Sequence, residues 1–132
     1  VDLSKFDIIA FADYRCGFIT EKFIRHAVES GKITYASSQV SSKQPNYDRY
    51  FDIDYFVCNE SESKHTDRIT NICVTKGAEG CVMNGVTYKG YPDKNVVNTI
   101  GAGDCFYAAL LANGDPDYAN KKASEFVATG SV

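Results

Sequence analysis

The segment Gly101-Ala102-Gly103-Asp104 opens an apolar stretch and has the residue types of an anion-binding helix start. A glycine-rich turn leaves several backbone N–H groups at the helix start unpaired, and these groups attract a phosphate together with the positive end of the helix dipole. Glycine lets the backbone approach such a ligand closely. A carboxylate at Asp104 would stand beside the phosphate, where it can accept a proton from an attacking hydroxyl. The segment therefore indicates phosphoryl transfer.

The same residues also fit a helix start without chemistry. In that interpretation Gly101 and Gly103 form a tight turn and Asp104 caps the helix, and short Gly-x-Gly turns of this kind are common. The chain contains no G-x-x-x-x-G-K-[ST] sequence, which excludes a Walker-type nucleotide loop. The spacing alone leaves both interpretations open.

The longer segment Asn98-Thr99-Ile100-Gly101-Ala102-Gly103-Asp104 resembles the D-T-x-G-A-G-D signature of the ribokinase-like (PfkB) sugar kinases. The resemblance implies that Gly101, Ala102 and Gly103 form the anion hole for the transferred phosphoryl group, that Thr99 borders the nucleotide, and that Asp104 is the catalytic base. The sequence departs from the signature at Asn98, where the family usually has aspartate. Asparagine keeps the shape and one acceptor of that side chain but loses its charge.

The segment Cys58-Asn59-Glu60-Ser61-Glu62 resembles the N-x-x-E element of the same family. The resemblance implies that Asn59 and Glu62 help to organise Mg²⁺ and the phosphates, indirectly through water, as is usual for magnesium beside a triphosphate. The alternative is a helix start in which Asn59 is the N-cap and Glu62 completes a capping box. The two roles are compatible with each other.

The segment from Val74 to Gly80 resembles the family's T-x-G-x-x-G stretch after a strand. The resemblance implies that Thr75 and Gly77 contact the nucleotide, which we expect to be ATP. The alternative is a glycine-rich entry to a hairpin. Lys76 between them is expected to be a solvated lysine.

Two weaker features point to a sugar-phosphate acceptor. The turn Asp13-Tyr14-Arg15-Cys16-Gly17 resembles the D-Y-x-x-G turn of members close to the heptose-phosphate kinases. The long loop Ser38 to Tyr47 resembles the Q-x-x-S segment of a lipopolysaccharide-type branch of these kinases. Asp13 lies at the carboxyl end of a predicted strand, where ligands bind in open α/β sheets. A turn-stabilising role for Asp13 fits the sequence equally well.

The elements around these motifs predict an α/β fold. The apolar run Phe6 to Phe11 predicts a strand, Thr20 is a suitable N-cap for a helix that ends at Gly31, and Lys32 to Ala36 predicts a second strand. A strand–helix–strand order of this kind is a crossover that gives a parallel sheet covered by helices. The polar stretch Ser37 to Arg49 predicts a long loop.

The remaining sequence predicts two strands, a β-hairpin and three helices. The centre of the hairpin is Asn84-Gly85, because this pair suits a type I′ turn. The predicted elements are a strand at Asp54 to Cys58, a short helix at Glu60 to Arg68, a strand at Asn71 to Thr75, the hairpin Gly80 to Lys89, and helices over about 102–113 and 117–129.

The resemblance implies a partial three-layer ribokinase-like fold, with a mainly parallel sheet, flanking helices and a β-hairpin in the C-terminal half. Residues 1–132 would be the nucleotide-binding half of the kinase domain, because members of the family are about twice the usual length of one domain. The sugar-binding and lid part would precede it. Because lids of this kind often supply the dimer contact, a homodimer of the full-length protein is one possibility. If the chain exists alone, the unpaired sheet edge predicts self-association and little kinase activity.

Composition argues against several other classes of protein, including disordered, membrane-spanning and nucleic-acid-binding proteins. The hydrophobic fraction of 44% suits a globular protein, no apolar run is long enough for a membrane span, and the net charge of −3 with scattered basic residues argues against nucleic-acid binding. None of the five cysteines stands in a C-x-x-C pair, so we expect free thiols, no metal site built on them, and a cytoplasmic protein.

The leading functional hypothesis is ATP-dependent phosphorylation of a sugar or sugar-phosphate hydroxyl. A kinase for a nucleoside or another small alcohol is an alternative, because the substrate-binding half is not in this sequence. A non-catalytic module that retains the nucleotide fold is the alternative from another class. The departure at Asn98 favours that module, and the intact Gly101 to Asp104 segment argues against it.

Overall fold

A computed structural model describes residues 2–14, 18–38, 47–66, 69, 71–91, 96 and 98–129. The chain divides into two compact units, Val1–Ile72 and Cys73–Val132. Within the described residues, no helix has both the length and the apolar character needed to cross a membrane.

The first unit alternates strands and helices. Strands β1 and β2 pair in parallel, with Ile8 opposite Ile33, and β2 pairs in parallel with β3 through Tyr35 and Tyr55. A parallel pair needs a crossover connection, which helix α1 provides between β1 and β2. The elements are β1 (Ile8–Asp13), α1 (Glu21–Glu29), β2 (Ile33–Ser38), a 3₁₀ turn (Tyr47–Tyr50), β3 (Tyr55–Asn59) and α2 (Glu60–Ser63).

Helix α1 begins and ends as its sequence predicts. The Thr20 hydroxyl accepts a hydrogen bond from Phe23 N at 3.2 Å, which satisfies one of the unpaired donors at the helix start. Gly31 has φ 76° directly after the helix, the left-handed conformation that glycine adopts at little cost. The helix buries Ile24 and Ala27 against the rest of the unit.

Aromatic side chains form much of the core of the first unit. The rings of Phe11 and Phe23 meet edge to face with centroids 5.7 Å apart, and the centroids of Tyr50 and Phe56 are 5.9 Å apart. Tyr50 and Phe56 are completely buried. The Tyr50 hydroxyl has a partner in this core, because it donates a 2.5 Å hydrogen bond to Asp13 Oδ2.

The second unit contains an antiparallel sheet followed by two helices. Asn84 and Gly85 have φ of 50° and 82°, as a type I′ turn requires, and they join the two arms of the predicted hairpin. The elements are β4 (Ile72–Thr75), a 3₁₀ turn (Gly77–Glu79), β5 (Gly80–Met83), β6 (Val86–Lys89), α3 (Ala102–Asn113) and α4 (Pro116–Thr129). Strand β5 pairs antiparallel with both β4 and β6.

Helices α3 and α4 form a helical hairpin. Gly114 has φ 73° and ends α3, and Pro116 is the first residue of α4, where its missing N–H group costs nothing. Leu110 and Ala119, one from each helix, are completely buried. The predicted helices over 102–113 and 117–129 are therefore confirmed to within a residue.

Several predicted boundaries were wrong. Strand β1 is displaced by two residues from the predicted Phe6 to Phe11, because its ends follow the pairing with β2 rather than the apolar run. Helix α2 ends at Ser63, and the chain continues in i→i+3 turns in which His65 N donates to Glu62 O. Most of the predicted long loop, residues 39–46, lies outside the described residues.

The cysteines that the structure describes are buried thiols that form no disulfide: Cys58, Cys73, Cys81 and Cys105. The Sγ of Cys105, which follows the predicted base, lies 3.6 Å from Lys122 O within the helical hairpin. These thiols pack as small apolar groups. Cys16 lies outside the described residues.

Candidate active site

A cavity of about 310 Å³ lies in the second unit. Its walls come from the end of β4 and the turn after it, from the segment that leads into α3, and from one face of α4. None of the described residues in these walls carries a charged side chain. The lining residues are Thr75, Gly77, Ala78, Gly80, Gly90, Tyr91, Val96, Thr99, Ala102, Gly103, Phe106, Asn120, Ala123, Ser124 and Val127.

The start of α3 forms one edge of this cavity. Gly101 stands at the N-cap position with φ 86° and ψ 0°, a left-handed conformation that an L-residue adopts only with strain. A Cβ on Gly101 would lie 3.2 Å from Cζ of Phe126, so space also favours glycine there. Asn98 Oδ1 accepts a hydrogen bond from Ile100 N at 2.9 Å, which fixes the turn before the helix.

Asp104 lies in the first turn of α3, directly after Gly103 in the cavity wall, and it is exposed to solvent. Gly101 provides no side chain to cap this first turn, and Ala102 N donates to Thr99 O at 3.2 Å. The helix start therefore combines backbone donors, a positive dipole end and an adjacent carboxylate. An anion that binds at these donors would stand close to a group able to accept a proton.

The turn between β4 and β5 forms the opposite edge. Gly80 has φ 107°, and a Cβ there would lie 2.1 Å from Tyr88 O, so no other residue fits. A Cβ on Gly90 would lie 2.1 Å from Ala78 O. The backbone after the hairpin thus packs against the 3₁₀ turn Gly77–Glu79, and Gly90 N donates to Glu79 O at 3.0 Å. Because of this close packing, backbone atoms form this wall of the cavity.

Helix α4 contributes a face that the sequence did not predict as part of the site. Asn120, Ala123, Ser124 and Val127 follow one another at i, i+3, i+4 and i+7, the spacing of one helix face. Asn120 is buried, and its Nδ2 donates to Tyr88 O at 3.0 Å. The spacing of Asn120, Ala123, Ser124 and Val127 on one helix face is the signal in the sequence that could have pointed to this wall.

Asn59 and Glu62 belong to the first unit and form a complete capping box at the start of α2. Asn59 Oδ1 accepts from Glu62 N at 2.8 Å, and Glu62 Oε1 accepts from Asn59 N at 2.9 Å. Burial raises the pKa of the neighbouring Cys58 thiol to about 12, with a smaller contribution from the negative charge of Glu62. The capping prediction is confirmed, and the magnesium role stays a prediction.

The side chains of Asn59 and Glu62 suit a metal ion that keeps its bound waters rather than one surrounded by protein ligands. The described residues contain no group of three His, Cys, Asp or Glu side chains that could hold a metal ion. One carboxylate and one amide match the way in which Mg²⁺ usually retains several of its waters. A magnesium ion organised by Asn59 and Glu62 would therefore be bound through water.

Asp13, at the carboxyl end of β1, is buried with a relative exposure of 6% and accepts the hydrogen bond from Tyr50. This bond fixes the end of β1 to the turn Tyr47–Tyr50. Residues 15–17 and 39–46 lie outside the described residues, so the two segments that resemble heptose-phosphate kinases are described only in part.

The structure brings together five of the predicted site residues in the lining of one cavity: Thr75, Gly77, Thr99, Ala102 and Gly103. Gly101 and Asp104 adjoin them in the chain. Asn59 and Glu62 form the separate cap in the first unit. Sequence reasoning missed the contributions of α4 and Tyr91, because nothing local links them to the glycine turns. It also missed Phe106, although this residue stands only three positions after Gly103.

The family model for the pfkB family carbohydrate kinases matches residues 10–131 of the chain. No curated protein sequence matches it.

Solved structures with the same fold include two nucleoside-phosphorylating enzymes and a ribokinase. The nucleoside kinase of Burkholderia thailandensis in complex with inosine has 17% identity and a TM-score of 0.73 over 95% of this chain and 49% of its own. Adenosine kinase from Sinorhizobium meliloti has 18% identity and a TM-score of 0.71 over 93% and 48%. Ribokinase of Arabidopsis thaliana complexed with ribose and ATP has 17% identity and a TM-score of 0.62 over 92% and 46%.

At these identities the likeness shows the fold, and it confirms the predicted ribokinase-like α/β class. The chain spans about half the length of these structures. The family model covers nearly all of the chain and includes both glycine turns and Asp104. The chain belongs to the pfkB family of carbohydrate kinases.

Proposed function

We propose that the chain is the ATP-handling part of an enzyme that phosphorylates a hydroxyl of a sugar or sugar phosphate. The observation that carries the proposal is the glycine-capped start of α3 at the edge of an uncharged cavity, with Asp104 in its first turn. In this arrangement the cavity can hold the nucleotide base, the adjoining glycine turn can hold the phosphates, and Asp104 can accept a proton beside them.

The uncharged part of the cavity suits the nucleotide base. Its lining is mainly apolar, and its few polar side chains include Asn120 and Ser124, which are hydrogen-bonded within the protein. The other polar side chains of the lining are those of Thr75, Tyr91 and Thr99. Small-molecule sites commonly combine an apolar lining of this kind with a few polar groups that fix orientation. The triphosphate needs backbone donors, which the turn Gly101 to Gly103 supplies at the helix start.

The transfer itself needs little covalent chemistry from the protein. Asp104 takes the proton of the acceptor hydroxyl as its oxygen bonds to the γ-phosphorus, and the bond to the bridging oxygen of ADP breaks. The developing charge on the transferred group is stabilised by N–H groups around Gly101 to Gly103. Asn59 and Glu62 would hold magnesium through water, and the ion would supply charge neutralisation for the phosphates.

A nucleoside acceptor is the second candidate. The observation that favours it is the likeness of the fold to a nucleoside kinase and an adenosine kinase. Heptose phosphate remains an interpretation of the Asp13-Tyr14 turn. The choice depends on residues that this chain does not contain, because the chain spans about half of those structures.

The proposal is tested by the Asp104→Asn variant in the natural protein that carries this chain. The expected result is a fall in turnover of about 100- to 10,000-fold, the usual contribution of a general base, with ATP affinity retained. Phosphorylation of ribose, heptose 7-phosphate and adenosine is measured by ADP release, and ATP affinity by calorimetry. Glu21→Gln, which neutralises an exposed carboxylate in the first turn of α1, is the matched control and should leave turnover unchanged.

A protein that binds ATP but phosphorylates none of a broad set of sugars and nucleosides would contradict the kinase proposal. That result would favour a non-catalytic nucleotide-binding module. Equal turnover of the natural protein and Asp104→Asn would instead contradict the role of Asp104 as base.

A further inference from the structure

We propose that Tyr91 is a specificity-determining residue that stacks on the nucleotide base, and that Asp117 is the positioning residue that holds it. This inference rests on the proposed function, since it assigns a role within the cavity that would bind ATP. Tyr91 follows the hairpin and lies outside both glycine motifs.

Tyr91 is an aromatic residue at the boundary between the cavity and solvent. It forms part of the cavity wall, yet it retains a relative exposure of 42%. Phe106, the other aromatic residue among the described lining, is buried with an exposure of 3%. Aromatic surface is therefore available to a ligand mainly at Tyr91.

Two hydrogen bonds to α4 hold Tyr91 in place. Its hydroxyl donates to Asp117 Oδ1 at 2.6 Å, in the first turn of the helix. Its backbone carbonyl accepts from the Ser124 hydroxyl, two turns further along the same helix. Both ends of the residue are thus fixed to one rigid element, although no secondary structure contains Tyr91 itself.

The bond to Asp117 is a charge-assisted one, in which the tyrosine is the donor. This bond raises the pKa of the Tyr91 hydroxyl above its ordinary value, with smaller contributions from desolvation and from the charges of Asp117 and Asp115. An ordinary tyrosine is already protonated at neutral pH, so its hydroxyl can donate to Asp117 under the conditions of a kinase assay.

A tethered ring at this position can recognise a flat, uncharged group. Ala123 and Val127 of α4 supply apolar surface in the same cavity, and no charged side chain lines it among the described residues. Bases stack on aromatic side chains with an energy that depends on the ring face rather than on hydrogen-bonding groups. A ring that is already fixed loses less conformational freedom on binding, so more of the stacking energy appears as affinity.

The experiment compares a ligand that has a base with one that lacks it, using Tyr91→Ala in the natural protein that carries this chain. We expect its dissociation constant for ATP to rise about tenfold or more, in line with the loss of one base–aromatic stack. Inorganic triphosphate, which has no base, should inhibit the natural protein and the variant equally. Tyr118→Ala, a tyrosine substitution beside Asp117 but outside the cavity lining, should leave both constants unchanged.

Two milder variants test the tether. Tyr91→Phe and Asp117→Asn keep the ring and should each weaken ATP binding by about two- to fivefold, a smaller effect than loss of the stack. An equal loss for ATP and for inorganic triphosphate in Tyr91→Ala would overturn the proposal, because it would indicate a general structural role. Unchanged ATP affinity in that variant would overturn it as well. Absence of ATP binding by the natural protein would instead contradict the proposed function.

Discussion

The starts of helices α2 and α3 use their backbone donors in opposite ways. At α2, Asn59 and Glu62 satisfy each other's backbone N–H groups through two hydrogen bonds of 2.8 and 2.9 Å. At α3, the N-cap is Gly101, which has no side chain, and the side chain of Asn98 bonds to Ile100 N before the helix begins. One start is capped by the side chains of its own residues, whereas the other has no side-chain N-cap and Ala102 N donates to the backbone oxygen of Thr99.

This difference explains why a capping motif and a phosphate site can look alike in a sequence. Both place small or polar residues before a helix and an acidic residue in its first turn. At α2 the acidic residue bonds back to the backbone of the N-cap, whereas Asp104 is exposed to solvent in the first turn of α3. The cap of α2 mainly supports stability, and we propose that the start of α3 mainly supports chemistry.

Among substitutions at the two helix starts, those in the glycine turn before α3 are expected to have the largest effect on stability and turnover. Gly101→Ala should lower the free energy of unfolding by about 1–2 kcal/mol, because alanine is strained at φ 86°. Turnover should fall as well, since the start of α3 would be displaced. Thermal or denaturant unfolding and ADP release measure the two effects.

Gly103→Ala is the matched control for strain, because a Cβ there meets no atom within 4 Å and the backbone is helical. The fold should remain stable within about 0.5 kcal/mol, as for most unstrained surface changes. Turnover should still fall, because the methyl group would stand among the donors of the first turn. Full activity in Gly103→Ala would argue against an anion hole at this turn.

Asn59→Ala tests the other helix start. It should lower the free energy of unfolding by about 1 kcal/mol, the usual cost of removing a side-chain N-cap. Urea unfolding of the natural protein and the variant gives this difference. A loss well below this value would mean that the capping box contributes little to the first unit.

Glu62→Gln separates capping from metal organisation. Glutamine also completes a capping box, so stability should be unchanged, whereas the lost charge should raise the magnesium concentration needed for half-maximal turnover severalfold. Magnesium titrations at saturating ATP measure this effect. An unchanged magnesium requirement would leave Glu62 with the cap as its only function.

The smallest effect is expected for Asn98→Asp, which introduces the aspartate of the family signature. The carboxylate can still accept from Ile100 N, so the change in unfolding free energy should stay within about 0.5 kcal/mol. A change in KM for ATP with kcat unchanged would show that the charge acts on nucleotide binding. A decrease in stability of 2 kcal/mol would contradict the observed turn.

Local chemistry allowed much of the fold to be predicted. Helix α1 begins after Thr20 and ends before Gly31 because the effects of these residues act within one helical turn. Asn84-Gly85 forms the hairpin turn because few other residue pairs accept two positive φ angles. The ends of β1 were not predictable in the same way, because a strand ends where its partner does. The sequence likewise does not show that Asp13 bonds to Tyr50, which is 37 positions away.

By itself the sequence determined the α/β order of elements, the two glycine turns, the position of Asp104 and the capping box at Asn59. Each of these depends on residue type and on spacings of a few positions. Only the tertiary structure decided that Thr75, Thr99 and α4 line one cavity, and that Tyr91 is tied to Asp117. Such contacts join residues tens of positions apart, and they form because the packing of whole elements, rather than any local preference, sets their distance.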